Sequence, residues 1–161
     1  MFARSTMLDT LSDDTKLIAP CGMNCSVCSR YLARKYDVNR KGLNIPYCAG
    51  CSPQGKKCAF QKRCELLRKN KVRFCYECSS FPCDNLEPLD ARYQKHYHTS
   101  FIENLTFIKE HSLAAFMERE DAKWRCEQCG AMLCCHNGIC YNCSADRLQK
   151  RKKLYRWDDE Q

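Results

Sequence analysis

Apolar positions recur at helical spacing most clearly in the middle of the chain. Ile102, Leu105 and Ile108 stand three residues apart, one face of a helix. Ser100 and Glu103 fit a capping box at its start, in which the N-cap hydroxyl and the N3 carboxylate satisfy each other's backbone amides. A second helix is predicted from Ser112, with Leu113, Phe116 and Met117 as its apolar face. It runs through the charged stretch 118–123 to Trp124. Upstream the pattern is broken by Gly22, Pro46, Gly50, Pro53, Gly55 and Pro82, which predicts loops with short helices over 29–36 and 58–70. Downstream, Asn137-Gly138 is a hairpin-turn signal, so a short β-hairpin is expected there. The basic tail reads as a helix or frayed extension that ends in the acidic stretch 158–160. The expected fold is a small, irregular α+β structure in four segments: a domain over 17–90, a helical connector over 91–124, a hairpin over 125–145 and a tail over 146–161.

Composition changes this picture. Leu, Ile, Val and Phe number 14, 5, 3 and 7, or 18% of 161 residues, too little for an ordinary aliphatic core in a charged chain. The chain instead carries 16 cysteines, ten of them in five C-x-x-C pairs: Cys25/Cys28, Cys48/Cys51, Cys75/Cys78, Cys126/Cys129 and Cys140/Cys143. Two thiolates so spaced grip one tetrahedral ion from a single turn, and two pairs close a site. A disulfide scaffold would need a secretory leader, and the acid-interrupted stretch 1–16 has no apolar run of that kind. No stretch approaches the ~20 apolar residues of a membrane span. A cytoplasmic metal-thiolate protein is therefore expected, with coordination replacing the missing core.

The formal charge of +8 counts every cysteine as neutral. Zinc held by four thiolates carries a charge of about −2, so three such sites would leave the protein near roughly +2. Many of the lysines and arginines then offset sulfur, which weakens the inference from basic charge to nucleic acid.

The sharpest signal lies at 124–143. Cys126-x2-Cys129 and Cys140-x2-Cys143, ten residues apart, have the arrangement of a zinc ribbon, with Gly130 directly after the first knuckle. Cys134 and Cys135 read as small buried residues and His136 as a turn residue. In the N-terminal block, Cys21, Cys25 and Cys28 are followed by Cys48, Cys51, Cys58, Cys64, Cys75, Cys78 and Cys83. The expected partition joins Cys48/Cys51 with Cys75/Cys78 and leaves Cys21, Cys25 and Cys28 to recruit Cys83 or Cys64. Cys58 has no assigned role. Two to three zinc ions are expected, and one [4Fe–4S] cluster in the N-terminal block is the alternative. The spacing Cys21-x3-Cys25-x2-Cys28 is that of radical-SAM enzymes, but the chain is too short for their barrel. The ferredoxin cysteine run is absent.

Taken together, APCGMNCSVCSRY, YCAGC, Cys58/Cys64, FCYECSSFPCDNL, ENLTFIKEH and CHNGICYNC resemble the uncharacterised cysteine-rich family named domain of unknown function 3795, over roughly 17–144. The resemblance implies cytoplasmic prokaryotic relatives, common in anaerobes, and a metal-binding fold with all ten N-terminal cysteines at family positions. It implies no reaction.

Two functions compete. One is a non-enzymatic structural zinc module that recruits a protein or nucleic acid. For nucleic acid, the basic clusters at Lys56–Lys57, Lys62–Arg63 and 68–73 and in the tail interleave with Phe60, Phe74, Tyr76, Tyr155 and Trp157. The other is an iron–sulfur or thiol-based redox carrier or sensor. Zinc hydrolysis is not expected, because His96, His98, His111 and His136 form no motif with carboxylates and no open coordination position is indicated.

Overall fold

A computed structural model describes residues 15–51, 59–151 and 155–157. Cys58, Lys56–Lys57, the start of the helix expected from 58, residues 1–14, and the tail at 152–154 and 158–161 lie outside the described residues. The regular elements are helices: α1 Ser29–Lys35, α2 Ala59–Lys62, α3 Glu65–Arg68, α4 Leu86–Tyr97, α5 Phe101–Glu110, α6 Leu113–Trp124 and α7 Asp146–Gln149. The segment expected to be helical over 58–70 is split at Arg63–Cys64 into α2 and α3.

The expected α+β fold is corrected. Among the described residues there is no strand, only isolated bridges between Ile18 and Asn24 and between Arg125 and Met132. The reason is where the amides around the Asn137-Gly138 turn go. The Leu133 N–H donates to Trp124 O, Cys135 N–H to Val27 O, and Cys134 N–H to Ile139 O. Beyond the Cys134–Ile139 bond across the turn, the backbone bonds to a helix end and to the N-terminal block, so the pairing does not extend into a ladder. Only Gly138 takes a positive φ, 72°, at this turn; Asn137 does not, so the two-residue type I′ hairpin turn is absent.

α4, α5 and α6 pack in sequence, and their caps show why they form. Ser100 Oγ accepts from the Glu103 N–H, and Ser112 Oγ accepts from the Ala115 N–H. The buried carboxylate of Asp90 in α4 accepts from Ser100 Oγ–H and from the Ile102 N–H, placing negative charge at the start of α5. His98, at φ 52°, turns the chain between the two helices.

Two apolar clusters hold the described residues together. The larger gathers Val27, Phe74, Leu86, Phe101, Leu105, Phe116, Trp124 and Cys135. The smaller packs Leu32, Val38 and Ile45 from the N-terminal block against Cys134, Ile139, Tyr141 and Leu148. Each cluster therefore draws on both cysteine blocks. Glu120, buried in α6, accepts from Trp124 Nε1–H at 2.9 Å and from Asn24 Nδ2–H at 3.3 Å, tying the first block to the helix that leads into the second.

Close approach at Gly22 fixes how α5 sits on the first block. Gly22 has φ 90°, its carbonyl accepts from Asn104 Nδ2–H, and a Cβ there would lie 2.9 Å from Phe101 O. Gly22→Ala is expected to destabilise the protein by about 1–3 kcal/mol, through strain at positive φ and displacement of α5. Thermal or denaturant melting of the variant checks this; an unchanged midpoint would count against the packing described.

Candidate metal centre

The C-terminal cysteines are brought together by turns that α6 launches. Buried Trp124 anchors the helix end, and Cys126 follows two residues later. Cys126 N–H donates to Ala131 O and Gly130 N–H to Cys126 O, with Gly130 at φ 77°, closing the first knuckle. Arg125 Nη1–H donates to Gly130 O and clamps that turn from outside. Ser144 N–H donates to Cys140 O and closes the second knuckle. Asn137 Nδ2–H holds the Tyr141 hydroxyl at 3.0 Å, and Trp157 covers Gly138 so closely that a Cβ there would lie 2.6 Å from its ring.

The sulfurs of Cys126, Cys129, Cys140 and Cys143 all lie within 4.8 Å of one another. Cys126 and Cys143 are 3.7 Å apart, and Cys129 and Cys140 are 3.5 Å apart. Tetrahedral thiolates about 2.3 Å from one ion would stand roughly 3.8 Å apart, so the donor set fits a single metal ion. Among the described residues this is the one group of three or more metal-ligating side chains so close together.

The thiols differ electrically. Backbone N–H of Ala131, helped by the Asn142 amide, pulls Cys129 down to about 6. N–H groups of Cys129 and Gln128 lower Cys126. Burial pushes Cys140 up to about 12. Cys129 thus offers a ready thiolate, while Cys140 gives up its proton only to a strong competitor.

Cys134 and Cys135 stand outside the group. Both are fully buried, one in each apolar cluster, and burial raises both, Cys134 to about 12. They pack as hydrophobes, as expected from the sequence. His136 lies in a turn, as read from the sequence, and the structure adds that it is buried. It is 4% exposed, with Nδ1 accepting from the Ser29 N–H at 3.3 Å and Nε2 3.1 Å from the Tyr93 hydroxyl. Burial, with Arg30 and Arg92 nearby, lowers it to about 4, so the ring is neutral at ordinary pH.

The N-terminal thiols fall into two groups, partitioned differently from the expected pairing. Cys28, Cys48 and Cys51 line one cavity of about 700 Å³. Cys25 joins them, because the Cys51 N–H points at Cys25 Sγ at 3.4 Å. Gly50 N–H lies 3.4 Å from Cys48 Sγ, the amide-to-sulfur contact of a knuckle. Cys64, Cys75, Cys78 and Cys83 line a second cavity of about 250 Å³. There the Ser80 N–H lies 3.4 Å from Cys78 Sγ, and burial, with the nearby thiols of Cys21, Cys64 and Cys83, raises Cys75. Cys48/Cys51 therefore stand with Cys25/Cys28 and not with Cys75/Cys78. The knuckles at Cys25–Cys28 and Cys75–Cys78 share one local form, each a 3-10 turn ending in a cysteine near φ −78°, ψ 136°.

Of the rest of the larger cavity's lining, the sequence pattern singled out Tyr155, as an aromatic beside the basic tail, but not Arg30, Arg92 or the rings of Tyr47, Tyr93 and Tyr97. Their only trace in the chain is the i, i+4 pair Tyr93/Tyr97 beside Arg92 on one face of α4.

Residues 17–88 match the family model described as a protein of unknown function, DUF3795. That match holds all ten N-terminal cysteines and stops before α5, so the C-terminal group lies beyond it, short of the wider resemblance over 17–144. No curated protein and no solved structure matches the chain. No helix among the described residues is long and apolar enough to cross a membrane.

Asn142 is the handle on the C-terminal site, since its amide donates to Cys129 Sγ at 3.5 Å. Without that donor the Cys129 thiolate is more basic, and protons compete better for it as pH falls. Asn142→Ala is expected to release metal at higher pH than the parent and to hold it roughly tenfold less tightly. A colorimetric chelator read across a pH series measures this, and coincident release curves would remove Asn142 from the account.

Proposed function

We propose that the chain is a non-enzymatic metal-thiolate module in which zinc at Cys126, Cys129, Cys140 and Cys143 fixes the C-terminal segment for partner binding. The observation that carries this reading is the spacing of those four sulfurs, 3.5 and 3.7 Å across the closest pairs. Four thiolates complete a tetrahedral shell and leave no position for a reacting water, the arrangement of structural zinc rather than catalytic zinc. Cys25/Cys28/Cys48/Cys51 and Cys64/Cys75/Cys78/Cys83, the latter with Cys21 close to Cys75, are the proposed further centres, giving two to three ions in all. A protein partner is favoured over nucleic acid because the interleaved aromatics are largely committed inward. Phe60 and Phe74 are buried, and the Trp157 indole donates to Cys135 O at 2.8 Å.

A second reading, an iron–sulfur centre at Cys25/Cys28/Cys48/Cys51, draws support from one observation. Cys28, Cys48 and Cys51 border a 700 Å³ cavity, and the four thiols do not converge as the C-terminal four do. A polynuclear cluster spreads its ligands more widely than one ion.

Protein purified natively without air, then analysed for metals by mass spectrometry, tests both readings. Two to three zinc ions on a colourless protein are expected, with one ion lost on replacing Cys126 and Cys140 by serine. Stripping the metal is expected to abolish cooperative melting, because structural zinc supplies about 10–16 kcal/mol per site in small metal-folded domains. A melting profile indifferent to a strong chelator would refute the proposal, and a brown protein containing iron and sulfide would establish the second reading for the N-terminal block.

A further inference from the structure

We propose that the 700 Å³ cavity between the Cys28/Cys48/Cys51 wall and α4 is a binding site for a small organic anion with a planar body. This goes beyond the metal-module reading and rests on its zinc form, since a cluster on the same sulfurs would take up part of the cavity.

The hydrogen bonds around His136 orient the site. Because the Ser29 N–H donates to Nδ1, that nitrogen carries the lone pair, and the neutral ring must carry its proton on Nε2. Nε2–H therefore donates to the Tyr93 hydroxyl oxygen, 3.1 Å away. The Tyr93 O–H proton is left to donate elsewhere, and Tyr93 lines the cavity. Ser29 is fully buried and lines the same cavity, and its hydroxyl has no hydrogen-bond partner among the described residues. A buried hydroxyl without a partner costs about 1–3 kcal/mol.

Charge selects the sign of the ligand. Among the described residues no carboxylate lines the cavity, whereas two guanidinium groups do. Arg30 is committed to the Tyr155 hydroxyl and to the sulfurs of Cys28 and Cys48, whose charge it offsets. Arg92, on the opposite wall, makes no ion pair among the described residues and lies 5.9 Å from the Tyr93 ring centroid. An oxyanion seated there receives a two-pronged guanidinium and the Tyr93 O–H together. Tyr97 and Tyr155 each meet His136 edge-on, with ring centroids 4.8 and 5.2 Å from it, and both line the cavity, where they supply flat surfaces for the body of the ligand. The volume is that of a metabolite-sized pocket rather than of a simple ion.

Carboxylate and phosphate share this chemistry, so the test carries both. Metal-loaded full-length protein is titrated by calorimetry with an aromatic carboxylate, a nucleoside monophosphate, and inorganic phosphate alone. Saturable binding of one organic anion is expected, at least tenfold tighter than inorganic phosphate. The organic probe that binds identifies the headgroup. Arg92→Gln should weaken that binding at least tenfold, and Tyr93→Phe, which keeps the ring, about three- to tenfold. Metal content and melting are measured on the same samples, so failure of the pocket is distinguishable from failure of the metal reading. Three results each overturn the proposal: no organic anion binds, inorganic phosphate binds equally well, or both variants retain parental affinity while keeping their metal.

Discussion

Four sulfurs crowded within 4.8 Å need a cation between them once they are ionised, and the segment that carries them has little else to fix its shape. Between the end of α6 and α7 there is no helix and no strand, only turns that close on themselves, with Leu133 and Cys135 N–H bonding outward to Trp124 and Val27. Buried side chains around these turns, Cys134, Ile139 and Tyr141, pack against the first block and not against one another as a separate core. The knuckles and the core are therefore coupled: an ion held there would set where Cys126 and Cys140 stand, and those residues position the apolar ones between them. The helix α6 transmits this to the rest of the chain, since Trp124, Glu120 and Asn24 form one buried hydrogen-bonded line.

The scarcity of aliphatic residues is met partly by that coordination and partly by sharing. Neither apolar cluster belongs to one cysteine block, so neither block has a core of its own to lose. Gly22 shows the tightness of the arrangement, with the α5 backbone lying where a methyl group would be. Asp90 does the equivalent on the polar side, with one buried carboxylate holding both the Ser100 cap and the first turn of α5. Such a structure has few places where a segment can be removed without exposing the side chains of another.

The elements readable in the sequence were those specified locally. Ser100 and Ser112 act as N-caps of α5 and α6 because capping needs only a hydroxyl and the next three residues. The C-x-x-C pairs read directly as knuckles for the same reason. Elements specified by distant partners misread. Asn137-Gly138 signals a hairpin, but the Cys135 amide goes to Val27, more than a hundred positions away, and no ladder forms. The grouping of N-terminal thiols failed likewise, since knuckle spacing says which cysteines act together and nothing about which knuckles meet. His136 is the instructive case. In sequence it is one histidine in a turn, and its role depends on an amide at position 29 and a hydroxyl at position 93.

Three consecutive residues, Cys28, Ser29 and Arg30, bring these threads to one place. Cys28 presents sulfur to the cavity, Ser29 a buried hydroxyl and the amide that sets the His136 tautomer, and Arg30 a guanidinium beside the sulfurs. All three lie at the start of α1, whose Leu32 and Ala33 pack into the cluster containing Ile139 and Tyr141. A metal bound through Cys28 would hold the backbone on which Ser29 and Arg30 are mounted, and would thereby hold His136 and the Tyr93 proton in register. Coordination at the sulfur wall and recognition in the cavity would then be linked through a single turn of helix, with no moving part between them. The same turn leans on residues flanking Cys140, so order at the C-terminal centre reaches the cavity by a second route, through packed side chains rather than through the chain.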